Sequence, residues 1–274
     1  MTDFILNNEQ TLRMSAFLVV LTVMAIWEVA SPKRRIDIPR LLRWTNNLAL
    51  VVLDSLVVRV AFPLLAVGVA VIAQENGWGL LNLFDFPSWL AVLAAILLLD
   101  LAIFGQHIAF HMVPALWRLH RMHHSDQEFD VTTGLRFHPI EIMLSMAIKM
   151  AVVLTIGAPP VAVLIFEVIL SATSLFNHSN VRLPKTVDRL VRLVLVTPDM
   201  HRVHHSVHPD ETNSNYGFSV PWWDRLFGTY IAQPRDGHLD MKIGINAFRE
   251  RSDLRIDKML VQPLRNPLRK QSGE

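Results

Sequence analysis

Residues 142–176 read IMLSMAIKMAVVLTIGAPPVAVLIFEVILSATSLF, an apolar run cut in its middle by Gly157-Ala158-Pro159-Pro160. Paired prolines remove two backbone donors and force a turn, so the stretch predicts a helical hairpin rather than one continuous span. A hairpin returns the chain to the side it left, which puts everything after His178 on the same side as everything before Ile142. Each arm is short against the ~20 residues that cross a bilayer, so a shallow or re-entrant hairpin is the alternative.

Three more apolar runs precede it: Met14–Ala30, Leu48–Ala73 and Trp89–Phe104. The first is followed at once by Lys33, Arg34 and Arg35, and Glu28 stands where a signal peptide would carry its small-residue cleavage site, so a retained transmembrane helix is expected. The loop after it holds Lys33, Arg34, Arg35, Arg40 and Arg43, whereas the segment 74–88 has no Lys or Arg. By the positive-inside rule the first loop is cytoplasmic, and the third run delivers the chain from His107 onward to that same side.

The composition agrees. Of 274 residues 51% are hydrophobic and only 18% charged, against about a quarter charged in soluble domains, and the mean hydropathy is +0.33. The expected fold is all-α: an integral membrane helical bundle of about three spanning helices, a broken helical hairpin and a cytosolic histidine-rich cap. Its expected division is 1–106 as N-terminal transmembrane helices, 107–230 as a histidine-rich region containing the hairpin 142–176, and 231–274 as a C-terminal cytosolic tail. The net charge of +2 is carried in short clusters beside apolar runs, so no nucleic-acid partner is indicated. The absence of cysteine excludes disulfides, thiolate metal ligands, Fe–S clusters and a cysteine nucleophile.

Eleven of the twelve histidines fall between His107 and His208. His107 and His111 are four apart, and two H-x-x-H-H groups follow, His120/His123/His124 and His201/His204/His205. On a helix, positions i, i+3 and i+4 share a face, so each group can point three imidazoles at a common point. Neutral imidazole suits Fe, Zn, Cu or Ni, and eight such side chains exceed what one ion recruits, which points to two metals. No H-E-x-x-H, G-x-S-x-G or Walker A pattern occurs. Asp100, Glu141, Asp199, Asn177 and Asn215 are candidate acceptors for the outer ring N–H groups, or ordinary caps and surface groups. His208 and His238 read as solvated loop residues.

The strings Leu116-Trp117-Arg118-Leu119-His120-Arg121-Met122-His123-His124-Ser125, Arg136-Phe137-His138-Pro139 and Asn177-His178-Ser179-Asn180 resemble the fatty acid hydroxylase and sterol desaturase superfamily. So does Thr197-Pro198-Asp199-Met200-His201-Arg202-Val203-His204-His205-Ser206, continuing through Asn215-Tyr216-Gly217 to Trp223-Asp224-Arg225-Leu226-Phe227-Gly228-Thr229. The resemblance covers about residues 100–230. It implies a membrane enzyme with a non-haem di-iron centre that uses O2 and two electrons to hydroxylate, or desaturate, a C–H bond of a lipid, fatty acyl or sterol-like substrate.

Carried over by position, the iron ligands are His107, His111, His120, His123, His124, His201, His204 and His205. His178 stands where the family has a further histidine, and His138 is a ligand or a positioning residue. No cytochrome b5-like segment is seen, so electrons are expected from a separate ferredoxin- or cytochrome b5-type protein, at the inner membrane of a bacterium. The rival reading is a histidine-rich metal transporter or metal-binding membrane protein, which would place its ligands within the spans.

Overall fold

A computed structural model of the chain describes Leu6 and residues 8–266. A helix that faces lipid satisfies its own backbone and needs apolar side chains nearly all round. Five stretches are long and apolar enough to cross a membrane: α1 (Glu9–Ala30); the broken pair α2 (Arg40–Ala61) and α3 (Ala66–Glu75); α4 (Ser88–Met112); and, after the short α5 (Pro114–His124), the hairpin arms α6 (Pro139–Ile156) and α7 (Pro160–Asn177). They correspond to the three expected spans plus the hairpin. Among the described residues there is no β-strand, only the isolated bridges Pro32–Val181 and Ser206–Ile243.

Two boundaries differ from the expectation. The run 48–73 is interrupted at Pro63, whose ring cannot continue a helix, so α2 ends at Ala61 and α3 restarts at Ala66. The third helix does not stop with its apolar residues at Phe104. It continues to Met112 and ends before Pro114, which opens α5, so His107 and His111 lie on the last turns of a candidate span.

α7 is the central helix, with half of its apolar window buried against 11% for α1. α1, α3 and α4 pack on it, and α6 closes against α2, α3 and α4. Alanines 66, 70, 95, 158 and 162 are buried in this core, where small side chains let helix axes approach. The hairpin turn uses Gly157 at φ +65, and a β-carbon there would meet the Trp78 carbonyl oxygen at 2.6 Å. Gly79, at φ +93, faces it with even less room, so the loop 77–82 lies directly on the turn.

The histidine-bearing ends are held by buried charge. The Arg43 guanidinium donates from Nε to Asp126 Oδ1 at 2.9 Å, from Nη2 to Asp126 Oδ2 at 2.7 Å and to Thr133 Oγ1 at 3.0 Å, and from Nη1 to Asp130. Burial would push the Asp126 carboxyl up, but Arg43 and Arg136 beside it hold it down at about 2. Arg43 is thus a completely buried clamp between α2 and the loop after α5, not a loop charge as its place in the basic run implied.

The segment 231–266 of the expected tail packs onto the rest of the protein. Met241, Ile243, Leu254, Met259 and Gln262 are buried. The arginines of α5 donate to its carbonyls, Arg118 to Pro263 and Arg121 to Gln262, both at 2.6 Å, and Ser125 and Gln262 bond side chain to side chain. The expected tail therefore covers the outer face of α5, and residues 267–274 lie outside the described residues.

Arg43→Ala strands two buried carboxylates and is expected to cost about 3–5 kcal/mol. Arg43→Lys restores little, because a point charge cannot serve both acids at once. Denaturation of the purified protein in detergent checks this, and a loss below about 1 kcal/mol would contradict the clamp.

Candidate metal centre

Nine histidines converge, and all are buried. One group is His107, His111, His120, His124 and His204, the other His123, His178, His201 and His205, and within each the candidate ligand atoms lie within 4.8 Å of one another. The groups adjoin: the rings of His124 and His205 stack with centroids 4.6 Å apart, and those of His123 and His124 stand 5.2 Å apart.

The elements that deliver them are α4 with His107 and His111, α5 with His120, His123 and His124, the C-cap of α7 with His178, and α8 (Lys185–Val191) leading to α9 (Pro198–His204), with His205 at its C-cap. α9 starts sharply because Pro198 occupies its first turn and the Thr197 hydroxyl accepts from the Met200 N–H at 3.3 Å.

Neither H-x-x-H-H group points all three rings at one place, as the shared-face argument proposed. α5 sends His120 and His124 to the first group and His123 to the second; α9 sends His201 and His205 to the second group and His204 to the first. At about 100° per residue, i and i+4 diverge by only ~40°, whereas i+3 and i+4 stand ~100° apart. Two facing helices thus exchange one histidine each.

The outer nitrogens have acceptors. His120 Nδ1 lies 2.6 Å from Glu141 Oε1, His107 Nδ1 2.7 Å from the Tyr216 carbonyl, and His204 Nδ1 2.7 Å from that of Ser214. His178 Nδ1 lies 2.8 Å from the Ser174 carbonyl and His111 Nδ1 3.2 Å from Asn213 Oδ1. In each case this turns Nε2 inward. There His107 and His120 approach at 3.2 Å, His123 and His178 at 3.2 Å, and His178 and His201 at 3.0 Å, all Nε2 to Nε2. Donors held ~2.1 Å from one ion at right angles would stand ~3.0 Å apart, so this spacing fits metal ligands.

Within the nine converging histidines, eight buried ring nitrogens have no hydrogen-bond partner: Nε2 of His111 and His204, Nδ1 of His123 and His201, and both of His124 and His205. A cation in each group would take up Nε2 of His111 and His204 and one nitrogen each of His124 and His205, offsetting about 1–3 kcal/mol apiece.

Burial also fixes the charge state. It pushes His120 and His178 down to about 3, and it drives His123, His124, His201, His204 and His205 well below the ordinary value, with the crowding of neighbouring imidazoles adding to it. The rings are neutral near pH 7, the form that binds metal.

Of the five candidate acceptors only Glu141 touches one of these histidines. Asp100 accepts from Trp223 Nε1 at 2.9 Å, Asn177 donates to the Phe218 carbonyl, and Asp199 pairs with Lys33 and Arg202. Asn215, at φ +48, ties the Met200 and Ile231 carbonyls together and so shapes the strip 213–216 that supplies three of the acceptors. Asn213 was missed, and the carbonyl acceptors have no side-chain signature.

His138, expected as a ligand or a positioning residue, lies in neither group. Its Nδ1 accepts from the Ile140 N–H at 3.2 Å as the N-cap of α6, and Nε2 bonds to the Leu260 carbonyl at 3.1 Å. His208 pairs with Asp236 at 2.7 Å and stays partly exposed, but His238 is not a solvated loop residue, since its side chain is largely buried 3.8 Å from Asp199.

A cavity of about 290 Å³ between α4, α6 and α7 reaches the rings of His107 and His120. A second, of about 330 Å³, reaches His111 beside Trp117 and Asn213.

The fatty acid hydroxylase family model matches residues 92–229, half of the chain and all nine converging histidines. The chain belongs to this family. It is 30% identical over 159 residues to ornithine lipid hydroxylase OlsE of Rhizobium tropici, covering 58% of this chain and 47% of that protein. It is 28% identical over 181 residues to human alkylglycerol monooxygenase, covering 62% and 38%. Human cholesterol 25-hydroxylase matches at 28% over 139 residues, half of each chain. The chain thus spans half or less of the length of these relatives. No solved structure matches it.

Because the rings are neutral when folded and titrate near 6.5 when unfolded, the unfolded chain binds more protons between about 6.5 and about 3, and stability falls as pH drops through that window. Metal-free protein, stripped with chelator, is expected to lose thermal stability steadily below about pH 6.5; a midpoint flat from pH 7.5 to 5 would contradict nine neutral buried rings.

Proposed function

We propose that the chain is an integral membrane oxygenase in which His107, His111, His120, His124 and His204 hold one iron ion and His123, His178, His201 and His205 a second. The observation that carries this is the pair of adjoining, buried, neutral imidazole groups whose inward nitrogens meet one another or no partner at all. Iron, unlike zinc, changes oxidation state and supplies the activation of O2 for hydroxylation of an unactivated C–H bond, or for its desaturation.

The protein's own part is placement. Glu141, Asn213 and the carbonyls of Ser174, Ser214 and Tyr216 fix the ring orientations. The cavity at His107 and His120 lets a lipid chain enter from the bilayer without crossing water, which keeps ~0.8 kcal/mol per buried methylene. Electrons come from a separate ferredoxin- or cytochrome b5-type protein.

The basic loop supports a cytoplasmic site: Lys33 bonds to Asp199, and Arg34 to the carbonyls of His238 and Met241, so the loop sits at the histidine end. The bacterial relative supports an inner-membrane location. A transporter is disfavoured because the histidines cluster where the helices end, not at mid-span.

Mass spectrometry of lipids from cells with and without the chain tests the reading, with an added oxygen expected for hydroxylation and loss of two hydrogens for desaturation. His204→Ala should abolish product and lower bound iron. His138→Ala should keep both, at about 1 kcal/mol of stability for the lost helix cap. Full turnover in His204→Ala, or metal uptake into vesicles without O2 consumption, would overturn it.

A further inference from the structure

The cavity that reaches His107 and His120 has a second, charged end. Its lining there includes Arg13 of α1, Lys149 of α6 and Glu167 of α7. Lys149 Nζ lies 2.7 Å from Glu167 Oε1, and Arg13 Nη1 lies 3.1 Å from Glu167 Oε2. All three residues belong to candidate spans, where ionisable groups are costly and face an interior with a purpose.

One carboxylate would balance one cation, but here two cations meet it. Glu9, one turn before Arg13, is near but does not line the cavity. The wall of this end thus carries two cations and one carboxylate, while Glu9, outside it, offsets part of the Arg13 charge.

The geometry between the two ends is regular. Glu141, which holds His120, is followed at four-residue steps by Ser145 and Lys149, and all three line the cavity. At 1.5 Å per residue the charged end lies ~12 Å along α6 from the histidine end. Between them stand Ile103, Ile142, Met146 and Leu170, with the polar groups of Gln106, bonded through Nε2 to Ser145 Oγ at 2.8 Å, and of Ser171 and Ser174 set among them.

We propose that the charged end binds the anionic group, a carboxylate or a phosphate, of a long-chain lipid whose hydrocarbon then runs along α6 to the histidines. Arg13 and Lys149 select the substrate class, and the length of α6 between Lys149 and Glu141 sets which carbon is presented. The choice of carbon rests on the oxygenase reading; the binding does not.

Either cation can be removed while Glu167 keeps a partner, so Arg13→Gln and Lys149→Gln are clean variants, and Arg13→Gln/Lys149→Gln/Glu167→Gln is a version without any charge. The probes are radiolabelled palmitate, dipalmitoyl phosphatidate and hexadecanol, bound to the purified full-length chain in detergent. At least one anionic probe is expected to bind about tenfold tighter than hexadecanol, the scale of one charge-assisted contact. Each single variant and the triple should lose that preference while binding hexadecanol unchanged, and Lys149→Arg should retain it.

Preference for palmitate alone identifies a free acid, and for phosphatidate alone a membrane phospholipid. Equal binding of hexadecanol, or anion preference surviving in all three charge-removing variants, would overturn the proposal. If the protein turns over, C14 and C18 acids should be oxidised at the same count from the carboxylate; a position fixed from the methyl end would overturn it too. Absence of any product with intact anion binding would count against the oxygenase alone.

Discussion

Keeping nine imidazoles uncharged and dry in one place is the constraint to which the rest of this fold answers. Apart from His120, which meets Glu141, a protonated ring there would face other imidazoles rather than a paired acid, so the rings are neutral, and a neutral ring has one donor and one acceptor nitrogen to satisfy. The chain gives five of them an outer partner: the Glu141 carboxylate, the Asn213 amide oxygen and three backbone carbonyls. Their other nitrogens are then committed inward, and the inward set fits cations better than it fits itself.

That arrangement needs rigid delivery from elements far apart in the chain, and buried guanidinium groups provide it. Arg43 fastens α2 to the loop after α5, and Arg136 bonds to the Met122 carbonyl and the Ser125 hydroxyl at the end of α5. Arg202 pairs with Asp199 and lies 5.1 Å from the ring centroid of Phe129, which itself packs on His178 and His205. Planar, permanently charged donors suit positions where several acceptors must be held at once. The segment 231–266 completes the enclosure through the arginines of α5.

Much of this was legible from residue types in local patterns. Gly157 and the two prolines after Ala158 mark the hairpin turn because no other residues terminate a helix so plainly, and eight of the nine converging histidines announce themselves by helical spacing. Apart from one local mark, what was hidden is non-local. The apolar run 48–73 carries its helix break in Pro63, a residue that hydropathy passes over. The sorting of each H-x-x-H-H group into two and one depends on how α5 and α9 face each other. The packing of 231–266 uses backbone carbonyls, which every sequence has. His138 stayed ambiguous because ligand and helix cap use the same side chain, although Pro139 directly after it is the mark of a cap.

The exchange of single histidines between α5 and α9 couples what would otherwise be two independent sites. Whatever steadies His120 and His124 also steadies His123 on the same rigid turn, and α9 does the same for His204 with His201 and His205. An ion held by one group would pre-order ligands of the other, so a second would meet a scaffold whose ordering had already been met. Filling of either group would therefore be felt by the other, shared ordering favouring joint occupancy and the mutual repulsion of two cations among neutral ligands opposing it.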